Sequence, residues 1–276
     1  MRYIIDHDFH IHSHLSTCSG HPEQTNENIL KYAEENGLAK IVLTNHFWDE
    51  EIPFDLPQLS DGRAPKGRNS YTKQSYAHIR EALPLPQSKK TKFLFGGETE
   101  MTHRLVIGLG KRPLTELDFI IVPTTHMHIT GFTISEADSK SPEARARVWI
   151  DRLEALLSAK LPFHKVGIAH LSSHLIAPTR EEFLEVLRLL PEEKMRRLFR
   201  RAAELGAGIE LNRNDFNYED GEADLILRPF LIAKSEGCKF YLGSDSHVPE
   251  HFEKAIPAFN KAIDELSLKE NDKFII

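Results

Sequence analysis

Near the start of the chain, in DFHIHSHLSTCSG, three histidines stand at alternate positions: His10, His12 and His14. Alternate residues of an extended segment share a face, so His10 and His12 point the same way and His14 can join them. Two imidazoles aimed at one point suit a divalent transition ion. A solvated His-rich loop would look the same on this stretch alone. What decides between them is whether distant segments bring further donors to the same place.

Short apolar runs recur along the chain: YIIDHDF (3–9), KIVLTN (40–45), KFLFGG (92–97), DFIIVPT (118–124), HKVGIA (164–169), AGIELN (207–212) and KFYLGS (239–244). Most are nearly continuous in apolar character, as parallel strands buried on both faces are. At or just past their ends come His10 and His12, then Asn45-His46, Glu98, His126, His170, Asn212, and finally Asp245 with His247. In a parallel barrel the C-terminal ends of the strands are where active sites are built. Any one of these residues alone reads as a satisfied core polar group; their common register does not.

The donor count exceeds one ion. Structural and catalytic zinc sites use three or four protein ligands, and this set is larger, so two or three divalent ions are implied. Glu98 is the natural bridge because a carboxylate has two oxygens. Imidazole-rich donors suit Zn, Mn or Fe, and the lack of an oxygen-rich shell argues against Ca or a dedicated Mg cage. Two carboxylates offset little of the charge of such ions, so the pocket attracts an anion, and phosphate is the obvious one.

The elements that must position these donors are helices between the strands. TREEFLEVLRLL places Thr179 as N-cap with Glu182 three residues on, a capping box, and a stripe of Phe183, Leu184, Leu187 and Leu190. The next helix starts at Pro191, aligns Met195, Leu198, Phe199, Ala202 and Leu205, and stops at Gly206. Its Arg196, Arg197, Arg200 and Arg201 lie among Glu192, Glu193 and Glu204, the composition of a solvated face. Seven βα units without a linker predict a distorted seven-stranded (β/α) barrel, TIM-barrel-like, as a single domain over residues 1–276. An open doubly wound sheet is the rival. The stretch 48–70, rich in Pro, Gly and charge, reads as a long loop over one end.

Composition bounds the rest. The 276 residues are 40% hydrophobic, enough for a sizeable core, and carry 35 Lys+Arg against 41 Asp+Glu, a net charge of −6. No global basic field attracts long nucleic acid. The two cysteines, Cys18 and Cys238, form no disulfide framework and suit a reducing, cytoplasmic setting. The apolar run before Asp6 is too short for a signal peptide, and nothing predicts a membrane partner. The oligomeric state is not legible.

HIH after the first strand, a histidine after the second, the GxE of Glu98, the later histidines and a terminal DSH resemble the PHP (polymerase and histidinol phosphatase) family. The likeness runs from Asp8 to His247 in the family's own order. It implies a distorted seven-stranded barrel and a ligand set carried over position by position. His10, His12, Glu98 and Asp245 would hold one metal, Glu98, His126 and His170 a second, and His46 with His247 a third. Cys18 stands where the family usually has His or Asp, and a thiolate there is a candidate ligand. Asn45-His46 replaces the family's Asp-His. The stretch from Asn69 to Met101, with DFIIVPTTHMHI and GIELN, is similar to the histidinol-phosphate phosphatase branch. That branch has Thr-Ser-Gly after the sixth strand's Asn, where this chain has Arg213, Asn214 and Asp215.

The resemblance implies a metal-dependent phosphatase that hydrolyses a small phosphate monoester by metal-bound hydroxide at a di- or trinuclear site, with histidine biosynthesis as one setting. Arg213 is the candidate phosphate clamp, Arg104 a weaker one, and Asp245 or His247 would move the leaving-group proton. Alternatives are a nuclease or nucleotide phosphoesterase of the same family, an amidohydrolase, whose usual carbamylated Lys is replaced by His126, and a non-catalytic accessory domain. His14, His128 and His174 read as rim imidazoles, and Asp8 as the group that fixes a ligand histidine's tautomer.

Overall fold

The computed structural model of the chain describes residues 1–53, 74–219 and 221–276. Residues 54–70 of the loop read at 48–70 lie outside them. The strands are β1 (His7–Ile11), β2 (Lys40–Leu43), β3 (Lys92–Glu98), β4 (Phe119–Pro123), β5 (Val166–Ala169), β6 (Gly208–Asn212) and β7 (Lys239–Gly243). They pair in sequence order, and every pairing is parallel. Helices α1 (Asn26–Glu35), α2 (Tyr76–Ile79), α3 (Lys111–Glu116), α4 (Pro142–Ser158), α5 (Arg180–Leu189), α6 (Glu192–Leu205), α7 (Ala223–Ser235) and α8 (Glu250–Glu265) lie between and after the strands. This is the seven-stranded TIM-barrel-like α/β fold that the strand count predicts, and the open-sheet rival is excluded by how β1 and β7 meet.

That seam is irregular. Asp245 N donates to His10 O at 2.7 Å, and His12 N to Ser246 O at 3.0 Å, just past the strand ends. Lower down, side chains replace the ladder. Leu242 N donates to His7 Nε2 at 3.1 Å, Ser244 N to Asp8 Oδ1 at 2.9 Å, and Tyr3 Oη to Phe240 O at 2.7 Å. The first strand therefore begins at His7, not at Tyr3. Tyr3–Ile5 is apolar because the Tyr3 ring is buried at the seam, not because it pairs as a strand.

Inside the barrel, one face of every strand but β6 supplies a dry cluster: Phe9, Val42, Leu94, Phe119, Ile121, Ala169 and Tyr241. Phe274 enters it from the C-terminal tail, its N–H donating to Phe240 O at 2.7 Å and its ring 6.0 Å from that of Phe119. Lys40, at the foot of β2, donates to the carbonyl of Ile276 at 2.6 Å. The tail thus closes the mouth where the strands begin. Each large side chain buried there stabilises by roughly 1.5–3 kcal/mol. A larger core lies between the strands and the helices.

The helix readings hold with small corrections. Thr179 Oγ1 accepts from Glu182 N at 3.2 Å, the Thr half of the expected capping box. Val186 is buried in α5 where Leu184 is only half-buried. Gly206 ends α6 with φ of 79°, a left-handed position suited to glycine. The α6 arginines pair with Glu192, Glu236, Glu154 and Glu204, as a solvated face should. Among the described residues no helix is long and apolar enough to cross a membrane.

Candidate metal centre

Four side chains converge where β1, β3 and β7 end. Nε2 of His10 and Nε2 of His12 are 3.0 Å apart. Glu98 Oε2 lies 3.0 Å from the first and 3.3 Å from the second. Asp245 Oδ1 lies 3.5 and 3.2 Å from them. Donors on a tetrahedral ion with bonds of about 2.0–2.1 Å stand about 3.3 Å from one another. The four groups already have ligand spacing.

The far side of each ring shows which nitrogen is free. His10 Nδ1 is 2.6 Å from Glu210 Oε1, and a carboxylate only accepts, so Nδ1 carries a proton. His12 Nδ1 is 3.2 Å from Ser16 Oγ, whose hydroxyl donates to Asn45 Oδ1 at 3.0 Å. Both Nε2 atoms then present lone pairs to each other and to two carboxylates, a mutual repulsion that a central cation reverses. A proton is the metal-free answer to the same repulsion. Burial works against charge on His10, but Glu210, Glu98 and Asp245 hold it well above the ordinary imidazole range.

A second group is Glu98, His126 and His170. Glu98 Oε1 is 3.9 Å from His126 Nε2 and, although buried, has no hydrogen-bond partner among the described residues. His126 Nδ1 donates to Glu100 Oε2 at 2.7 Å, and Glu100 is held by the fully buried Arg152 at 3.2 Å. Burial opposes charge on His170, but Asp245 and Glu210 push it up to about 9. A third group is His12, His46 and His247. The His12 ring lies 4.5 Å from that of His46 and 4.2 Å from that of His247, and His46 Nδ1 is 3.1 Å from Glu98 Oε2. Burial and the neighbouring His12 pull His247 down to about 4. Glu98 is therefore shared by imidazoles on both of its oxygens.

Two of these residues hold left-handed backbone, His170 with φ of 61° and Asp245 with φ of 51°. Such values are uncommon outside glycine and gather at functional sites. Together with the orphaned Glu98 oxygen, the imidazole and carboxylate donor set fits transition ions.

Of the predicted site residues, the structure brings together His10, His12, His46, Glu98, His126, His170, Asp245 and His247. Cys18 is exposed on the loop after β1 and belongs to none of these groups, nor to a fourth made by His10, His170 and Glu210. Desolvation, then the charges of Asp245 and Glu98, push its thiol up to about 12 even though the residue as a whole is exposed. Arg213 is half-buried beside the seam, and its Nε donates to Ser244 O at 2.9 Å. Arg104 is exposed on the loop after β3, and His14, His128 and His174 are exposed as rim residues should be. Asp8 corrects the tautomer expectation. Its Oδ1 accepts backbone N–H groups of Ser244 and His10 at 2.9 and 3.3 Å, and among the described residues no imidazole hydrogen-bonds to it. The tautomers are set by Glu210, Glu100 and Ser16, none of which sequence reasoning singled out. For Glu210 the available signal was a carboxylate in the apolar run GIELN, on the same face as Asn212.

No protein-family profile matches the chain, and no curated protein sequence matches it. Solved structures do. One is a histidinol phosphate phosphatase from Lactococcus lactis complexed with zinc, L-histidinol and phosphate. It is 18% identical, covers 94% of each chain and has a TM-score of 0.55. Another, a provisionally named histidinol phosphatase from Listeria monocytogenes, is 14% identical over 89% of this chain and 96% of its own, with a TM-score of 0.63. At these identities what the likeness shows is a shared barrel fold along nearly the whole chain.

Proposed function

We propose that this chain is a metal-dependent phosphatase of the PHP kind, hydrolysing a small phosphate monoester. The observation that carries the reading is Glu98. Its Oε2 stands 3.0–3.3 Å from nitrogens of His10, His12 and His46, and its Oε1 faces His126, the surroundings of a bridging carboxylate. Support comes from the likeness in fold to a phosphatase whose structure holds zinc and phosphate.

His10, His12, Glu98 and Asp245 would hold one ion, Glu98, His126 and His170 a second, and His46 with His247 and the shared His12 a third; Cys18 stays outside this set. When bound, divalent transition ions supply Lewis acidity toward phosphoryl oxygens and a water acidic enough to attack at neutral pH. The chain's own residues do the rest. Buried imidazoles keep the donors fixed and dry. Arg213, whose Nη groups carry no hydrogen bond among the described residues, is free to clamp a phosphate oxygen. Asp245 and His247, whose Nδ1 donates to Asp245 O at 2.9 Å, are the groups we assign to relay a proton to the leaving oxygen, the proton being the one that the attacking water gives up. The alcohol portion of the substrate is set by the Arg213–Asp215 segment, where the chain departs from its relatives' Thr-Ser-Gly, with histidinol phosphate the first compound to try.

The test is a screen of phosphorylated metabolites against protein reconstituted with Zn, Mn or Fe, scored for released phosphate. Turnover of at least one monoester, lost on chelation, is expected. Cleavage of oligonucleotides with no turnover of any monoester would move the reading to a nuclease of the same family.

A further inference from the structure

Glu210 sits inside β6, fully buried, and each of its oxygens serves a different half of the centre. Oε1 accepts from His10 Nδ1 at 2.6 Å. Oε2 accepts from the backbone N–H of His170 at 3.1 Å, the residue whose φ is left-handed. His10 belongs to the group with His12 and Glu98, and His170 to the group with Glu98 and His126. Glu100 offers the contrast. Its carboxylate accepts from His126 Nδ1, and its charge is matched by Arg152. The only ion pairs of Glu210 among the described residues are with His10 and His170. Space has been kept for it as well. A side chain at Gly243, on neighbouring β7, would collide with the Glu210 carboxylate and lie 2.8 Å from His10 Cβ.

We propose that Glu210 is a positioning residue that couples the two ion sites, through the tautomer of His10 on one side and the turn at His170 on the other. A carboxylate has two acceptors, and both are used by donors. An amide offers one acceptor and one donor, so in Glu210→Gln either His10 Nδ1–H or His170 N–H meets an N–H head on. A small imbalance at one residue thereby disturbs ligands of both ions, because each ion depends on an imidazole whose far side Glu210 holds. Loss of hydrogen bonds behind a metal ligand weakens binding by about 10–100-fold.

The inference rests on the metal-centre reading, and one experiment separates the two. Chelator-stripped wild type, Glu210→Gln and Glu100→Gln are titrated with zinc alone by calorimetry, with circular dichroism as a check on folding. Wild type should take up at least two ions. Glu210→Gln should weaken two of them, each by about 10–100-fold, and Glu100→Gln one. ¹⁵N NMR of the histidine rings should show His10 protonated at Nδ1 in zinc-loaded wild type and displaced from that form in Glu210→Gln, with partial recovery in Glu210→Asp. Should Glu210→Gln not fold, Gly243→Ala crowds the same carboxylate and should weaken both ions. Weakening of one ion only, or an unchanged His10 ring signal with unchanged affinities, overturns the coupling while leaving the metal centre standing. Wild type that binds no zinc overturns both.

Discussion

The two mouths of this barrel are built from the same seven strands and differ in nearly every physical respect. At the end where strands begin, Phe9, Phe119, Tyr241 and Phe274 fill the interior with aromatic rings. At the end where they finish, the buried His10, His12, Glu98, His126 and His170, with the partly exposed Asp245 beside them, crowd lone pairs and charges together. Hydrocarbon packing is stable without help, whereas converging donors need an ion or a proton among them. Stability and chemistry are thus separated by a few residues along each strand: in β1, Phe9 belongs to one task and His10 to the other.

That separation is open to attack from both sides. The largest expected effect is Glu98→Gln, which removes the shared carboxylate. Phosphatase activity should fall by more than ~100-fold, beyond the loss ascribed to outer hydrogen bonds alone, while far-UV dichroism of the metal-free protein is unchanged. Activity within tenfold of wild type would end the bridging role. Phe274→Ala attacks the other mouth. It should lower unfolding stability by about 3–5 kcal/mol in urea, with zinc uptake of the folded protein preserved; loss of both together would show that the two ends are not separable.

Arg213→Ala tests the boundary between ligands and substrate. A charged hydrogen bond contributes about 1.5–3 kcal/mol, so kcat/KM should drop by roughly 10–100-fold with metal content intact. Cys18→Ser should do far less than Glu98→Gln, about twofold or under by the exposure of Cys18; equal losses for the two would show that the thiol is a ligand. The smallest effect is on pH. Burial opposes charge on Asp6, but His7 and Lys273 lower it from 3.8 to about 2. Its folded value is depressed, so its contribution is present above about 4 and is lost as pH falls toward 2. Asp6→Asn should lower the melting temperature slightly at pH 7 and not at pH 2, and an equal shift at both would remove the ion pair from the account.

What was legible in the chain follows the same divide. The strand-end histidines could be read because each follows an apolar run, and parallel strands deliver their last residues to one face. Glu210 is marked only as a carboxylate in an apolar run on the face of Asn212, and its role is not legible because its partner His10 is 200 residues away. Nor is the role of Phe274, which packs across the sheet from a short tail with no periodicity of its own. Tyr3–Ile5 reads as strand because burial at a seam and burial in a ladder leave the same apolar signature. Asp8 attracts the task of Glu210 because it is close in sequence to the histidines, where Glu210 is close in space.

His170 and Asp245 carry one further consequence. Scored by backbone comfort alone, both positions favour Gly or Asn, and a stabilising redesign guided by local fit would place them there. Each replacement would relax the turn and delete a donor. Variants selected for heat resistance without a functional screen should therefore drift at these two codons first, and a library that retains imidazole at 170 and carboxylate at 245 reports selection for chemistry over comfort.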